Sequence, residues 1–140
     1  MDYIYKKVLI IDDDEISNFI SQKLLEQCKV AEEINSYDNA REALTFIDTC
    51  ISRGKAVPDM ILLDINMPLM NGWDFLKRFE AIPGISKETT KLYILSSSVY
   101  SKDFDTAAKH ELVSGYIVKP LSKEKLLEIS RAKKIEHSEF

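Results

Sequence analysis

Cysteine is scarce in this sequence: Cys28 and Cys50 are the only two. Two are too few for a disulfide scaffold, and they lack the clustered spacing of a zinc site. Both are expected as buried or half-buried free thiols in a reducing compartment. A surplus of basic charge is also missing, since 19 Lys and Arg stand against 23 Asp and Glu for a net charge of −4. Sequence-independent nucleic-acid binding needs a basic face, so no nucleic-acid partner is expected. No apolar run is long enough to span a bilayer, which leaves no membrane partner in the reading. The start, Met1 to Lys7, carries Asp2 and no apolar stretch, so it is not read as a signal peptide, and a cytoplasmic protein is the default. Linkers, internal repeats and low-complexity segments are absent as well.

What is present suits one domain: 140 residues, 45% of them apolar and 30% charged. Five short apolar runs stand out at Val8–Ile11, Ile34–Tyr37, Met60–Leu63, Leu92–Leu95 and Tyr116–Val118. Three of them, the runs at Val8, Met60 and Leu92, are nearly continuous, as expected for strands buried on both faces of a parallel sheet. The run at Ile34 alternates more, as an edge strand would. Helical spacing lies between the runs. Ile16, Phe19, Ile20, Lys23, Leu24 and Gln27 follow Asp14, a candidate cap. Ala40, Ala43, Leu44, Ile47 and Ile51 follow Asp38. Trp73, Leu76, Phe79 and Ile82 follow Gly72 and stop at Pro83-Gly84. A weaker pattern spans Lys102 to Lys109, and Leu126, Leu127 and Ile129 follow Ser122. Strand and helix alternating five times over predict an α/β doubly wound parallel sheet of five strands with helices on both faces. The polar stretch Lys133–Phe140 is expected to fray.

In such folds ligands bind outside the carboxyl ends of the strands. Those ends carry Asp12-Asp13-Asp14, then Asp64, then Ser96-Ser97-Ser98, then Lys119-Pro120. Each alone has an ordinary reading as a turn, a cap or a strand terminator. Together they crowd carboxylates on one rim, and a hard divalent cation with oxygen ligands, Mg²⁺, would relieve their repulsion.

The stretches Val8-Leu-Ile-Ile-Asp-Asp-Asp14, Leu62-Leu-Asp-Ile-Asn-Met-Pro-Leu-Met-Asn-Gly72, Ile94-Leu-Ser-Ser97 and Gly115-Tyr-Ile-Val-Lys-Pro120 resemble the receiver domain of two-component response regulators. The resemblance covers about Lys6 to Ala132, leaving Lys133–Phe140 as a polar tail with no output domain. It implies a flavodoxin-like (βα)5 fold with strand order 2-1-3-4-5. It implies Asp64 as the phosphoacceptor, with Asp12, Asp13, Asp64 and the backbone carbonyl of Asn66 holding Mg²⁺. Ser96 and Lys119 would bind phosphoryl oxygens, with Ser96 and Tyr116 as the switch. Gly72 would permit the turn into the third helix, and Pro120 would follow a cis peptide. Ser97 stands where the family usually has alanine. The implied partners are a sensor histidine kinase or histidine phosphotransfer protein and a downstream protein target. Phosphoryl transfer is then self-catalysed, and the protein is a phosphoacceptor rather than an enzyme acting on other substrates. Lys102, Phe104, Lys109, Tyr116, Leu121 and Lys125 are the candidates for an output face.

Two rivals are weaker. A haloacid-dehalogenase-like phosphatase would need an acidic pair on a strand after its lysine, and beyond Lys119 the acids are Glu124, Glu128, Glu136 and Glu139. A flavodoxin would not place Asp12–Glu15 against a flavin phosphate. The standing alternative is a receiver-like module that works by protein contact without phosphorylation.

Overall fold

The computed structural model describes residues 3–67, 69–97 and 101–138, with 101–102 and 131–138 described by backbone alone. Strand and helix alternate: β1 Tyr5–Ile11, α1 Glu15–Gln27, β2 Ala31–Tyr37, α2 Ala40–Ser52, β3 Met60–Asp64, α3 Gly72–Glu80, β4 Lys91–Ser96, α4 Ser101–Ala108, β5 Val113–Val118 and α5 Lys123–Ser138. The strands form one parallel sheet in the order β2-β1-β3-β4-β5, the order the family resemblance implies.

The continuous apolar runs explain the layering. Val8 to Ile11 in β1 and Met60 to Leu63 in β3 expose no surface. Their side chains alternate between two cores. Leu9, Ile11, Ile61 and Leu63 join Ala43 and Ile47 of α2 and Phe75, Leu76 and Phe79 of α3. Val8, Ile10, Met60 and Leu62 join Leu25 of α1 and Leu126 of α5. Burying each such side chain contributes about 1.5–3 kcal/mol. β2 forms an edge, and the alternating run at Ile34 belongs to it.

Several boundaries differ from the sequence reading. β1, β2 and β5 begin at Tyr5, Ala31 and Val113, before their apolar runs, because ladder pairing such as Tyr5 with Ala31 extends the strands past the apolar residues. Asn39 caps α2, its side chain accepting the Glu42 N–H at 2.8 Å. Asp14 caps α1 as expected. The α5 helix runs on to Ser138, through most of the segment expected to fray. Its residues Lys133 to Ser138 include no Gly or Pro to stop it.

Along α1, Ile16, Phe19 and Ile20 are 71%, 62% and 41% exposed, while Ser21 and Leu25 are buried and Leu24 and Cys28 pack against the core. Two stripes on this helix satisfy helical spacing, and spacing alone does not say which one faces the sheet. Both cysteines are free; Cys28 lies on the α1 side of the sheet and Cys50 is buried on α2 on the other. No helix among the described residues is long and apolar enough to cross a membrane.

Candidate functional site

The sheet places its chemistry at a switch in strand order. From β1 the chain crosses by α1 to β2 on one side, and it returns by α2 to β3 on the other side of β1. Helices cover opposite faces there, so the carboxyl ends of β1 and β3 border an open crevice. Asp12 follows β1 and Asp64 ends β3 in that crevice, while Ser96 ends β4 and Lys119 follows β5 beyond them.

The side chains converge. Lys119 Nζ lies 2.7 Å from Asp12 Oδ2 and 3.5 Å from Asp64 Oδ2. Asp12, Asp13 and Asp64 each offer a carboxylate oxygen within 4.8 Å of the others, Asp13 exposed and the other two buried. The Asn66 N–H donates to Asp64 Oδ1 at 3.0 Å, and the Asn66 side-chain amide reaches Ser96 Oγ at 3.5 Å. The Lys119 N–H donates to the Ser96 carbonyl at 2.7 Å, which ties the end of β4 to the lysine. The Lys119–Pro120 peptide is cis.

Three acids share this rim with one ammonium, and their ionisation shows it. Burial pushes the Asp64 carboxyl up to about 6, and the nearby Asp12 carboxylate adds to the rise; the Asn66 N–H and Lys119 oppose it. Burial also acts on Asp12, but hydrogen bonds from Lys119, Ser17 and the Asp14 N–H outweigh it and hold that carboxyl below the usual range. Lys119 is held above its usual value because Asp12 and Asp64 outweigh its own burial. The arrangement is a basic, buried carboxylate beside a fixed ammonium, with two further acids within reach of the same cation. Three oxygen donors from two strand ends suit a hard divalent ion better than a soft one.

A sequence model of the response regulator receiver domain matches residues 8–131. The chain belongs to the response regulator receiver domain family. Among curated relatives, it is 30% identical over 124 residues to Two-component response regulator ORR41 of Oryza sativa subsp. japonica, covering 86% of this chain and 87% of that protein. It is 31% identical over 121 residues to Two-component response regulator 24 of Arabidopsis thaliana, covering 86% and 78%. Among solved structures, a two component response regulator from Cytophaga hutchinsonii superposes with a TM-score of 0.83 at 30% identity, covering 92% of this chain and 96% of that one.

Within this receiver domain Gly72 has a different role from the turn expected of it. A Cβ there would sit 2.6 Å from Ile65 Cα and 2.7 Å from the Asp64 carbonyl oxygen. Close approach of α3 to the backbone at the end of β3 excludes any side chain. Tyr116 is half-buried and meets the exposed Phe104 of α4 edge-on, with ring centroids 5.8 Å apart. Of the other output-face candidates, Lys109 is exposed and Lys125 turns inward to donate to the Val118 carbonyl at 2.6 Å. Leu121 is a core residue, 5% exposed, because it packs in one cluster with Ile117 of β5 and Leu126 of α5. The Lys102 side chain lies outside the described residues.

Sequence reasoning missed Ser17 and Asn18. Ser17 Oγ donates to Asp12 Oδ2 at 2.6 Å, and Asn18 Nδ2 donates to the Asp12 carbonyl at 2.6 Å. The available signal was their place in the first turn of a helix that starts right after the acidic run.

Proposed function

We propose that this receiver domain accepts a phosphoryl group on Asp64 from the phosphohistidine of a sensor kinase or histidine phosphotransfer protein. The observation that carries the reading is the buried, raised Asp64 carboxylate with Lys119 and the Asp12–Asp13 pair converging on it. An Asp64 oxygen attacks phosphorus as the N–P bond of the donor breaks, and the bonding pair returns to the imidazole nitrogen. The product is an acyl phosphate. Lys119 is placed to pair with a phosphoryl oxygen, and Ser96 to hydrogen-bond another. Mg²⁺, held by Asp12, Asp13, Asp64 and the Asn66 carbonyl, would supply the positive charge that lets a dianionic group enter among acids.

The exposed Ile16 and Ile20 line a pocket with Lys119 and offer a phosphodonor protein apolar surface beside the site. Downstream, the acyl phosphate would draw Ser96 and Lys119 inward and shift the β4–α4 segment and Tyr116, changing the surface shown to a target or relay protein.

The test is labelling with acetyl phosphate and Mg²⁺. Wild-type protein should gain the mass of one phosphoryl group at Asp64. Asp64→Asn, which keeps shape and fold, should gain none. Unlabelled wild-type protein would favour the alternative module that works by contact alone.

A further inference from the structure

Asp12 is held at every polar atom it has. Its N–H donates to the Tyr37 carbonyl at 3.1 Å, and its own carbonyl accepts from Asn18. Oδ1 accepts the Asp14 N–H at 3.0 Å. Oδ2 accepts two donors at once, Ser17 Oγ at 2.6 Å and Lys119 Nζ at 2.7 Å. A carboxylate oxygen has two acceptor positions, so Oδ2 is full while Oδ1 keeps one for a cation. Lys119 is also drawn towards Asp64, 3.5 Å away.

Ser17 is unusual for its place. It sits in the third position of α1, after the Asp14 cap. A polar residue there ordinarily turns back to the helix's own cap backbone. This hydroxyl instead reaches five residues back to a carboxylate with no exposed surface, at the short distance of a charge-assisted O–H···O⁻ bond.

We propose that Ser17 is a positioning residue: it keeps the Asp12 carboxylate in place when Lys119 leaves Asp12 for the phosphoryl group on Asp64. This rests on the phosphoacceptor reading above. In the resting site Ser17 and Lys119 back each other up on one oxygen. Once the lysine has turned to the phosphoryl group, Ser17 is the donor that remains on Oδ2, and Oδ1 stays directed to the cation.

The redundancy gives a signature that a purely structural serine would lack. Mg²⁺ affinity is measured by calorimetry in Ser17→Ala, in Lys119→Ala and in the double variant. Ser17→Ala alone should weaken Mg²⁺ less than about threefold, because Lys119 still holds Asp12. In the Lys119→Ala background the same change should weaken it about tenfold. With Mg²⁺ saturating, Ser17→Ala in the otherwise wild-type protein should weaken beryllofluoride binding about tenfold, because Lys119 is then engaged elsewhere. Ser17→Thr keeps the hydroxyl and should restore all three. Ser17→Cys, close in size with a weak donor, replaces Ser17→Ala if that variant loses its cooperative unfolding transition. Equal losses of Mg²⁺ affinity in both backgrounds, or no loss in the Lys119→Ala background, would overturn the proposal. Labelling of wild-type Asp64 is scored separately: its absence would sink the phosphoacceptor reading, while the Mg²⁺ cycle would still decide whether Ser17 backs up Lys119 on Asp12.

Discussion

The two edges of the sheet each bury a lysine among acids, with opposite results. At the amino edge Lys7, 8% exposed, donates to the Ala56 carbonyl at 3.0 Å and to Cys50 Sγ at 3.3 Å, with Glu33 3.7 Å away and the Phe46 ring beneath it. Asp59 beside it is taken up by the N–H groups of Lys6 and Lys7 at 3.0 and 2.9 Å. Neutral dipoles and one partner of each sign satisfy that edge. At the carboxyl edge one ammonium faces three carboxylates. The comparison separates burial of charge, which both edges have, from imbalance of charge, which only the second has. Imbalance gathers acids suited to a shared hard cation and raises the buried Asp64 carboxyl.

The sharpest way to test this contrast is pH. The folded Asp64 carboxyl titrates near 6, above its ordinary 3.8, so the folded state binds that proton more tightly than the unfolded chain. The stability this group contributes is therefore full below about 4 and lost as pH rises towards 6. The metal-free protein should lose on the order of 1–3 kcal/mol across that window from Asp64 alone. Asp12 has the opposite sign: its folded carboxyl lies below the ordinary value, so its contribution is present above 3.8 and is lost as pH falls. Denaturant melts of wild-type and Asp64→Asn from pH 4 to 7 isolate the Asp64 part. An unchanged slope in the variant would mean that Asp64 is not the strained group.

A smaller effect is expected at Asp13, the exposed member of the cluster. Asp13→Ala should weaken Mg²⁺ about tenfold, since one anionic donor is gone, without lowering the stability of the metal-free protein. Calorimetry and a thermal melt at low salt check both halves. Mg²⁺ affinity equal to wild type would remove Asp13 from the site.

Legibility in the sequence follows the same contrast. The imbalanced edge could be read because its residues sit at strand ends, where Asp12, Asp64, Ser96 and Lys119 each close an apolar run. The two-faced burial of β1 and β3 was legible for a related reason, since a strand apolar at every position must be covered twice. Helix orientation was not legible: α1 carries two apolar stripes, and the choice between them is made by packing on Leu25 and Cys28. Gly72 was found for the wrong reason, because a close approach to Ile65 and Asp64 is a property of tertiary packing. Ser17 and Asn18 had only their place in the first turn of α1 as a signal, because their partner is Asp12 rather than the helix itself. The balanced edge gave no signal at all, as Lys7 reads as one polar residue before an apolar run.

That balanced edge supplies the smallest prediction and the control for the others. Lys7→Met fills a similar volume with an apolar chain over Phe46 and leaves the Ala56 carbonyl and Glu33 without the ammonium. Glu33 is largely exposed and can turn to water, and the Cys50 thiol loses only a weak contact. Removing one partner of an ion pair is costly when it strands a buried charge, and Glu33, left exposed to water, is not one. The expected change in stability is therefore within about 1 kcal/mol, allowing for the one carbonyl left without its donor. Mg²⁺ affinity and Asp64 labelling should stay at wild-type values, because Lys7 lies at the opposite end of β1 from Asp12. A denaturant melt and one Mg²⁺ titration are enough to check it. If Lys7→Met altered Mg²⁺ affinity as strongly as Asp13→Ala, charge at the two edges would be coupled through the sheet, and local imbalance would no longer explain the site.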